Sequence, residues 1–330
     1  MSDVISNIDS LLRSYIVSVQ CEKCSFDEVF NLYKRYFKKY ENIDFIKQLG
    51  FGGKMFIGDT NVAVSMLNRY RQYVGKNGDD ILDNIILRVD TPRYLINTNT
   101  HITNTVITTS KYNAELFMRN FKNVKVVPHP YDDDALQFYK TTEYKDKKND
   151  IIMVGWNDPD DHKGFRRYFT STLNKHNLNK YTHNIISNEY STISSLSLSN
   201  VINERQFTLP KRLLYYRMAT SKWYLSLSHT EGFQLPVLEA LTTGTPVIYP
   251  RCHALEHVGF GIAYNCYKVN KDWYDYDDDE LADTIQYAMS IPKEQYEDLR
   301  MNAIEYVKRN FSPVKVIRYM SNILNSNIMR

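Results

Sequence analysis

The sequence predicts an α/β protein made of two doubly wound domains, each with a parallel sheet, which face each other across a cleft. Three observations carry this prediction. Apolar, β-branched segments alternate with segments of helical periodicity. A charged stretch interrupts this alternation near the middle of the chain, after which it resumes. The length of 330 residues also fits two domains of ordinary size.

The predicted strands are near-continuous apolar runs, which is typical of parallel sheets covered on both faces. In the first half they span 14–20, 54–57, 84–89, 105–109 and 124–127, with helices over 26–40, 61–74 and 112–120. In the second half they span 151–154, 184–187, 222–228 and 245–249. The helices there span 165–173, 210–219, 236–243, 279–289 and 295–309, with a last one near 314–325.

A charged stretch separates the two rounds of alternation. It contains three consecutive aspartates at 132–134 and the run KDKKND at 145–150. Polar clusters between periodic segments indicate a connection. We therefore predict an N-terminal domain over 1–135, a linker over 136–150, a C-terminal domain over 151–312, and a helix over 313–330 that can pack back on the N-terminal domain.

The composition excludes several classes of protein. Apolar residues make up 43% and charged residues 24% of the chain, which excludes a mainly disordered protein. The net charge of +3 neither favours nor excludes a nucleic-acid partner. No apolar run reaches the ~20 residues that span a bilayer, and the N-terminus lacks the regions of a secretory signal. We therefore expect a cytoplasmic protein.

The four cysteines indicate neither a disulfide scaffold nor a metal centre. Cys21 and Cys24 form one CxxC pair without a second pair at zinc-ribbon spacing, and Cys252 and Cys266 lie far away. A structural zinc site needs about four ligands brought together. We expect free thiols in a reducing cytoplasm and no bound metal.

The stretch 228–250, SHTEGFQLPVLEALTTGTPVIYP, carries the most chemistry. A predicted buried strand ends at Ser228, and after a loop a helix begins at Pro236, which suits a first helical position. Open α/β sheets bind ligands at the carboxyl edge of their strands, where a helix N-terminus suits a phosphate. Glu231 and Glu239 then lie beside a phosphate site, and carboxylates at such a place serve as acceptors for sugar hydroxyls.

This stretch resembles the donor-site signature E-G-F-x-L-P-x-L-E-A-x-x-x-G-x-P-V-I of the retaining GT-B glycosyltransferases of family 4. The flanks are similar too: Gly155 ends a strand and is followed by Lys163-Gly164. The segment 213–228 resembles the family's helix-then-strand lead-in, and 106–132 resembles the end of its N-terminal domain. The matching positions are Glu231, Gly232, Phe233, Leu235, Pro236, Leu238, Glu239, Ala240, Gly244, Pro246, Val247 and Ile248.

The resemblance implies a GT-B fold of two Rossmann-like domains and a retaining transfer of sugar from a nucleotide-diphosphate-sugar, with a UDP- or GDP-sugar expected. The C-terminal domain holds this donor, the N-terminal domain holds the acceptor, and no cofactor or metal is needed. By analogy Glu239 holds the ribose hydroxyls, whereas the catalytic residues Glu231 and Lys163 hold the transferred sugar and neutralise the leaving diphosphate. The other donor-binding positions are Gly155, Trp156, Arg166, Arg167, His229, Gly232, Phe233, Gln234 and Leu235.

Two positions depart from the family's pattern. Trp156 stands where the family has an arginine that contacts the diphosphate, and Arg166 or Arg167 could reach in instead. Gln234 stands where glycine is usual, which leaves the loop less free to adopt a positive φ. His229, next to the glutamates, either touches the donor sugar or caps the loop.

The N-terminal domain should bind the acceptor through groups at its strand ends. In the resembling family a histidine or aspartate of this domain approaches the reacting sugar. Asp90 and His101 are the leading candidates for a catalytic role, ahead of Asp59 and His129. Each is also explained as a turn or capping residue. The acceptor is expected to be a lipid, a polysaccharide or a protein.

The segment 33–40, YKRYFKKY, mixes aromatic and basic residues. One interpretation is a helix with a solvated basic face. The other is a patch that binds an anionic membrane surface, which would place the protein peripherally at a membrane. A nucleic-acid site is not expected, because no binding motif accompanies the patch.

The same fold supports rival functions. A nucleotide-sugar epimerase would convert the donor with no acceptor present. A catalytically silent module would bind the nucleotide-sugar and release no free nucleotide. A phosphorylase that depends on pyridoxal phosphate needs a much longer chain and is set aside.

Overall fold

In the computed structural model, the structure describes residues 15–17, 32–33, 35, 40–41, 55–57, 85–89, 105–118, 121, 123–156, 160–187, 201–205, 209–270 and 272–326. The chain forms two compact units, one grouping Met1–Pro130 with Phe311–Arg330 and the other comprising Tyr131–Asn310. Almost all of the predicted helix 26–40 and the whole of 61–74 lie outside the described residues. Tyr40, placed at the end of the former, begins a short strand.

The described elements are numbered in chain order. The strands are β1 (Tyr15–Val17), β2 (Tyr40–Glu41), β3 (Met55–Ile57), β4 (Ile85–Val89), β5 (Thr105–Thr108), β6 (Asn123–Val126), β7 (Lys148–Gly155), β8 (Thr182–Ser187), β9 (Val201–Arg205), β10 (Ser221–Leu225), β11 (Val247–Pro250), β12 (Gly261–Tyr264), β13 (Tyr267–Lys268) and β14 (Tyr274–Asp275). The helices are α1 (Lys111–Phe117), α2 (Asp133–Thr141), α3 (165–175, with a π-helical middle at Tyr168–Thr172), α4 (Lys211–Thr220), α5 (Leu235–Thr242), α6 (Leu255–Val258), α7 (Asp278–Ser290), α8 (Lys293–Phe311) and α9 (Pro313–Ser326). None of the described helices has the length and hydrophobicity needed to cross a membrane.

The first unit contains a six-stranded sheet in the order β2-β1-β3-β4-β5-β6. Every neighbouring pair is parallel, as the alternation of strands and helices predicts. Its core includes Val106 and Ile107 of β5, which are fully buried. The Ser110 side chain caps α1 by accepting from the Asn113 N–H at 3.2 Å. Helix α9 groups with this unit.

The second unit contains a six-stranded sheet in the order β12-β11-β10-β7-β8-β9, again with every pair parallel. The central strand β10 carries Trp223 and Tyr224, both fully buried. The two strands that the sequence analysis omits, β9 and β12, are the two edges of this sheet. Edge strands are covered less, and β12 is only partly buried over most of its length, which weakens the apolar run that predicts a strand.

The segment 136–150, predicted as a linker, contains most of α2, a 3₁₀ turn at Tyr144–Asp146 and the start of β7. Helix α2 begins after Asp132, whose carboxylate accepts from the Asp134 N–H at 2.9 Å and from the Tyr215 hydroxyl at 2.9 Å. This carboxylate therefore ties α2 to α4 within the second unit.

The amino edge of the second sheet is held by two cations, the partly buried Lys147 and the buried Arg300. The Lys147 ammonium donates to the Ser221 carbonyl at 3.1 Å and to the Gly244 carbonyl at 3.3 Å. The Arg300 guanidinium donates to the same Gly244 carbonyl at 3.0 Å and to that of Thr142 at 2.8 Å. Because buried carbonyls need donors, these cations stabilise the sheet where its strands begin.

The expectation of free thiols was wrong for one pair of cysteines. Cys252 and Cys266 form a disulfide, with their Cα atoms 6.3 Å apart. Cys252 follows β11 and Cys266 follows β12, and these strands are neighbours in the sheet. This pairing brings together two cysteines that are 14 residues apart in the sequence. The other two, Cys21 and Cys24, lie outside the described residues.

Candidate active site

The candidate site lies at the carboxyl edge of the second sheet, where β7 and β10 end side by side. These strands pair in parallel, so Gly155 at the end of β7 shares this edge with the loop 226–234 that follows β10. The loop is buried at every position except Glu231, which is partly buried as a residue. It leads into α5, which begins one residue before the predicted start, at Leu235.

Gln234 gives the loop its last turn into α5. It adopts the left-handed conformation, with φ 65°. Its side-chain oxygen accepts from the Ser226 hydroxyl at 2.7 Å, and its amide donates to the Ser228 hydroxyl at 3.1 Å. Gln234 therefore adopts a positive φ although it is less free than glycine to do so, because two buried hydrogen bonds hold its side chain in place.

Lys163 and Glu231 form an ion pair at this edge, between Nζ and Oε1. Their side chains are only 11% and 10% exposed. Burial raises the pKa of Glu231, but the charges of Lys163 and His162 and the hydrogen bond from Lys163 outweigh it and hold that pKa below its usual value. Glu231 is therefore ionised, and the pair places one fixed anion and one fixed cation at the strand ends.

A tight turn before α3 positions Lys163. The Gly164 N–H donates to the Asp161 carbonyl at 2.7 Å, and the Asp161 carboxylate accepts from the N–H groups of Arg166 and Arg167 at 2.9 and 3.0 Å. Gly164 has φ 68°, and a Cβ there would lie 2.6 Å from the Leu227 carbonyl oxygen. The turn therefore requires glycine at position 164, the second residue of the Lys163-Gly164 pair.

Gly155 makes room for the lysine stem. A Cβ at this position would lie 3.1 Å from Cγ and Cδ of Lys163. The lysine therefore packs its apolar stem against the end of β7 and directs its ammonium to Glu231. Gly155 at the strand end and Lys163, eight positions later, therefore pack together and place the ammonium.

A second ion pair lies on the helical side of the loop. Glu239 of α5 contacts Lys211, the first residue of α4, with Oε1 2.5 Å from Nζ. The Glu239 side chain is 7% exposed. The pKa of the buried Tyr224 phenol is raised by burial and then by the charges of Glu231 and Glu239, so both carboxylates lie near one buried group. Glu239 was predicted from the sequence, whereas Lys211 was not, because it belongs to no local motif.

Comparison with known proteins identifies the family. No protein-family model matches the chain. The chain is 32% identical to "Putative glycosyltransferase ORF330" of Acidianus filamentous virus 2 over 333 residues, which cover 95% of this chain and 98% of that protein. The chain belongs to this family of viral glycosyltransferases. It is therefore an enzyme of glycosyl transfer, as the motif at 228–250 predicts.

Solved structures show the fold of this glycosyltransferase. A glycosyltransferase from Rickettsia africae matches 97% of the chain and all of its own length, with a TM-score of 0.64 at 13% identity. Anabaena HepE, solved with UDP and glucose, matches 95% of the chain and 99% of its own length, with a TM-score of 0.61 at 14% identity. The predicted GT-B fold is thereby confirmed.

His229 connects the glycosyltransferase's loop to the β13–β14 hairpin. Its Nδ1 lies 2.8 Å from the Tyr274 carbonyl, and the Tyr274 N–H donates to the His229 carbonyl at 2.9 Å. Its ring stacks on Trp273, with centroids 4.7 Å apart, and on Tyr276, with centroids 5.3 Å apart. Burial lowers the pKa of His229. A neutral imidazole whose Nδ1 donates to a carbonyl presents Nε2 as an acceptor.

His253 supports the same loop from the other side. It is buried, and its Nε2 lies 3.0 Å from the Ser228 carbonyl, whereas its Nδ1 lies 3.4 Å from the Leu255 N–H. Burial lowers the pKa of His253 to about 4, although Glu231 opposes the shift. His253 therefore lies against the backbone three residues before Glu231.

The arginines expected near the diphosphate differ in their contacts. Arg167 forms ion pairs with Asp275 and Asp278 and lies over the ring of Tyr276, 4.6 Å from its centroid. It therefore anchors α3 to the start of α7. Arg166 is partly exposed, and Trp156, just after β7, is 49% exposed.

The structure describes one of the four candidates in the N-terminal domain, His129. Asp59, Asp90 and His101 lie outside the described residues, and their roles stay predictions. His129 is buried, with Nδ1 3.0 Å from a guanidinium nitrogen of Arg88, which also donates to the Tyr33 hydroxyl at 2.5 Å.

Tyr33 is the first residue of the basic aromatic segment 33–40. It is fully buried, so this aromatic faces the core, whereas Arg35 is exposed.

Among the described residues, no three His, Cys, Asp or Glu side chains come together to hold a metal ion.

Proposed function

We propose that this glycosyltransferase takes a sugar from a nucleotide-diphosphate-sugar, a UDP- or GDP-sugar, and transfers it to an acceptor hydroxyl with retention of configuration. The observation that carries the proposal is the buried Lys163–Glu231 pair at the carboxyl edge of the second sheet. The UDP and glucose bound by the structurally similar Anabaena protein support a donor of this class. The long motif at 228–250 supports retention.

Lys163 would stabilise the leaving group. As the bond between the anomeric carbon and the diphosphate breaks, negative charge accumulates on the departing oxygen. An ammonium already fixed at that position stabilises the transition state without reorganisation. The N-terminus of α5 adds the positive end of a helix dipole on the same edge.

The two glutamates would bind hydroxyl groups. Glu231 is ionised and held by Lys163, so it can accept from hydroxyls of the transferred sugar. Glu239, on the helix that follows, would accept from the ribose hydroxyls. In this proposal fixed cations and a helix dipole supply the electrostatic stabilisation, and the reaction needs no metal ion or organic cofactor.

The acceptor is proposed to be a lipid, a polysaccharide or a protein, recognised by the first unit. A lipid acceptor would bring the enzyme to a membrane surface from the cytoplasm. The exposed Arg35 within 33–40 is compatible with such a contact, and the buried Tyr33 favours the solvated-face interpretation of this segment.

A nucleotide panel on wild type and Lys163→Ala tests the function. UDP, GDP, ADP and dTDP, with their common sugars, are compared by thermal shift, followed by assay of released nucleotide. A ligand that binds only the native state raises Tm. We expect one nucleotide class to stabilise wild type. Lys163→Ala should lose about two orders of magnitude in turnover, as when one preorganised donor is removed.

The matched control is Lys175→Ala, which removes an exposed lysine paired with Asp279 at 3.2 Å. It should leave both binding and turnover unchanged. Wild-type turnover in Lys163→Ala would refute the role of Lys163. Binding without any release of nucleotide would favour the silent module, and conversion of the donor without an acceptor would favour an epimerase.

A further inference from the structure

The Glu239–Lys211 pair joins a residue of the motif at 228–250 to a lysine outside that motif. Glu239 is nine-tenths buried, and the Lys211 side chain is 31% exposed. Burying a carboxylate without a partner is expensive, and the ammonium of Lys211, 2.5 Å away, compensates the charge of the Glu239 carboxylate.

The position of Lys211 is not explained by the stability of its own helix. Lys211 is the first residue of α4, and the first turn of that helix holds no acidic residue. A cation there meets the positive end of the helix dipole and is disfavoured. Its favourable partner is Glu239, on the neighbouring helix α5.

A second contact fixes the ammonium from the other side. The Lys211 Nζ lies 5.5 Å from the centroid of the Tyr215 ring, one turn along α4. The Tyr215 hydroxyl in turn donates to Asp132 at 2.9 Å. The Lys211 ammonium therefore contacts both the Tyr215 ring and the Glu239 carboxylate, rather than being left as a solvated surface charge.

We propose that Lys211 is a positioning residue for recognition of the donor's ribose. This inference rests on the proposed function, in which Glu239 accepts the ribose hydroxyls. Lys211 contacts Oε1 of Glu239 and so holds the orientation of this carboxylate. A carboxylate has about four acceptor positions, so one bond to lysine is compatible with bonds from two adjacent hydroxyls. The ligand class is the ribonucleoside half of a nucleotide diphosphate.

Nucleotides that lack the ribose hydroxyls isolate this role. Affinities of UDP and GDP are measured by calorimetry, each against its 2′,3′-dideoxy form, for wild type, Lys211→Met and Lys211→Arg. Wild type should prefer the ribose form by about 10-fold or more, the usual contribution of hydrogen bonds to a charged group. Lys211→Met should lose most of that preference, and Lys211→Arg, which keeps the charge, should retain part of it.

Two controls separate this role from a general loss of structure. Lys308→Met removes a lysine from an exposed pair with Glu305 and should keep the wild-type preference. Inorganic diphosphate, which has no ribose, should bind wild type and Lys211→Met equally. A merely structural lysine would weaken all ligands together and leave the preference unchanged.

The outcomes distinguish the two proposals. If wild type binds neither UDP nor GDP, the proposed function fails and this inference fails with it. If wild type prefers the ribose form and Lys211→Met keeps that preference, only the role of Lys211 is overturned. Loss of the preference in Lys211→Met, with diphosphate binding retained, supports it.

Discussion

The two edges of the second sheet use the same kinds of cation for different purposes. At the amino edge, Lys147 and Arg300 donate to main-chain carbonyls, including that of Gly244. At the carboxyl edge, Lys163 and Lys211 pair with buried carboxylates. Removing a donor from a buried carbonyl costs stability. Removing one from a buried carboxylate also costs stability, but in addition it changes the charge of the proposed binding site. Whether one of these cations serves the fold or the proposed site therefore depends on the group it contacts, and not on whether it is a lysine or an arginine.

The largest expected effect on stability comes from Arg300→Met at the amino edge. The side chain is 4% exposed, and it donates to two carbonyls and to Glu297. Its loss should lower the free energy of unfolding by about 3 kcal/mol and Tm by roughly 4–8 °C. The affinity of the folded protein for its nucleotide should not change. Urea unfolding and calorimetry measure the two quantities separately.

Arg318→Met, at an exposed position of α9, is the matched control and should change neither quantity. A large loss of nucleotide affinity in Arg300→Met would contradict the comparison, because it would mean that the amino edge also serves the site.

The carboxyl edge was the better predicted of the two. The spacing of Glu231 and Glu239 about a strand end and a helix start is local, so a single stretch of sequence places both. Lys163 was predicted because Gly155 and the Lys163-Gly164 pair resemble the family's glycine-containing strand end followed by Lys-Gly. Lys211 could not be predicted, since its pairing with Glu239 depends on how α4 packs against α5. Tertiary contacts of this kind leave no periodic signal.

The prediction of strands also depended on local sequence patterns. The interior strands of the second sheet carry apolar runs and were predicted, whereas its edge strands β9 and β12 were missed. The sequence of β9, VINER, is polar in its second half. The disulfide between Cys252 and Cys266 was missed for another reason: only the adjacency of β11 and β12 brings the two residues together.

Two buried histidines, one near each edge of the second sheet, should make the stability of the protein depend on pH. His183 at the start of β8 and His253 at the carboxyl edge both have a pKa lowered by burial to about 4. In the unfolded chain each returns to a value near 6.5. Between these values the unfolded state binds more protons, so the stability is full above pH 6.5 and is lost as the pH falls toward 4. Each histidine should account for about 3 kcal/mol of that loss.

Variants of the two histidines should separate the edges. Between pH 7.5 and 4, wild type should lose about 3 kcal/mol more stability than either His183→Gln or His253→Gln, as measured by urea unfolding across the pH series. Only His253→Gln should also lower turnover, by about 10-fold, because it disturbs the backbone that carries Glu231. Parallel pH profiles for wild type and both variants would show that neither histidine is held neutral by burial.

The smallest expected effects come from two glycines at opposite edges. A Cβ at Gly155 would lie 3.1 Å from the flexible stem of Lys163, so Gly155→Ala should change stability by less than about 0.5 kcal/mol. It should shift the ammonium and lower turnover by roughly 10-fold, since small misplacements of a reacting group are costly.

Gly244→Ala should show the reverse result. Gly244 has φ 77°, and a Cβ there would lie 2.5 Å from a ring carbon of Tyr139. The left-handed conformation alone costs a non-glycine residue about 1–2 kcal/mol, so this variant should lose that much stability or more. Its turnover per folded molecule should stay at the wild-type level, because the strain lies at the edge that holds no reacting group. Equal turnover losses in Gly155→Ala and Gly244→Ala would mean that strain spreads through the whole sheet and that the edges do not divide fold from function.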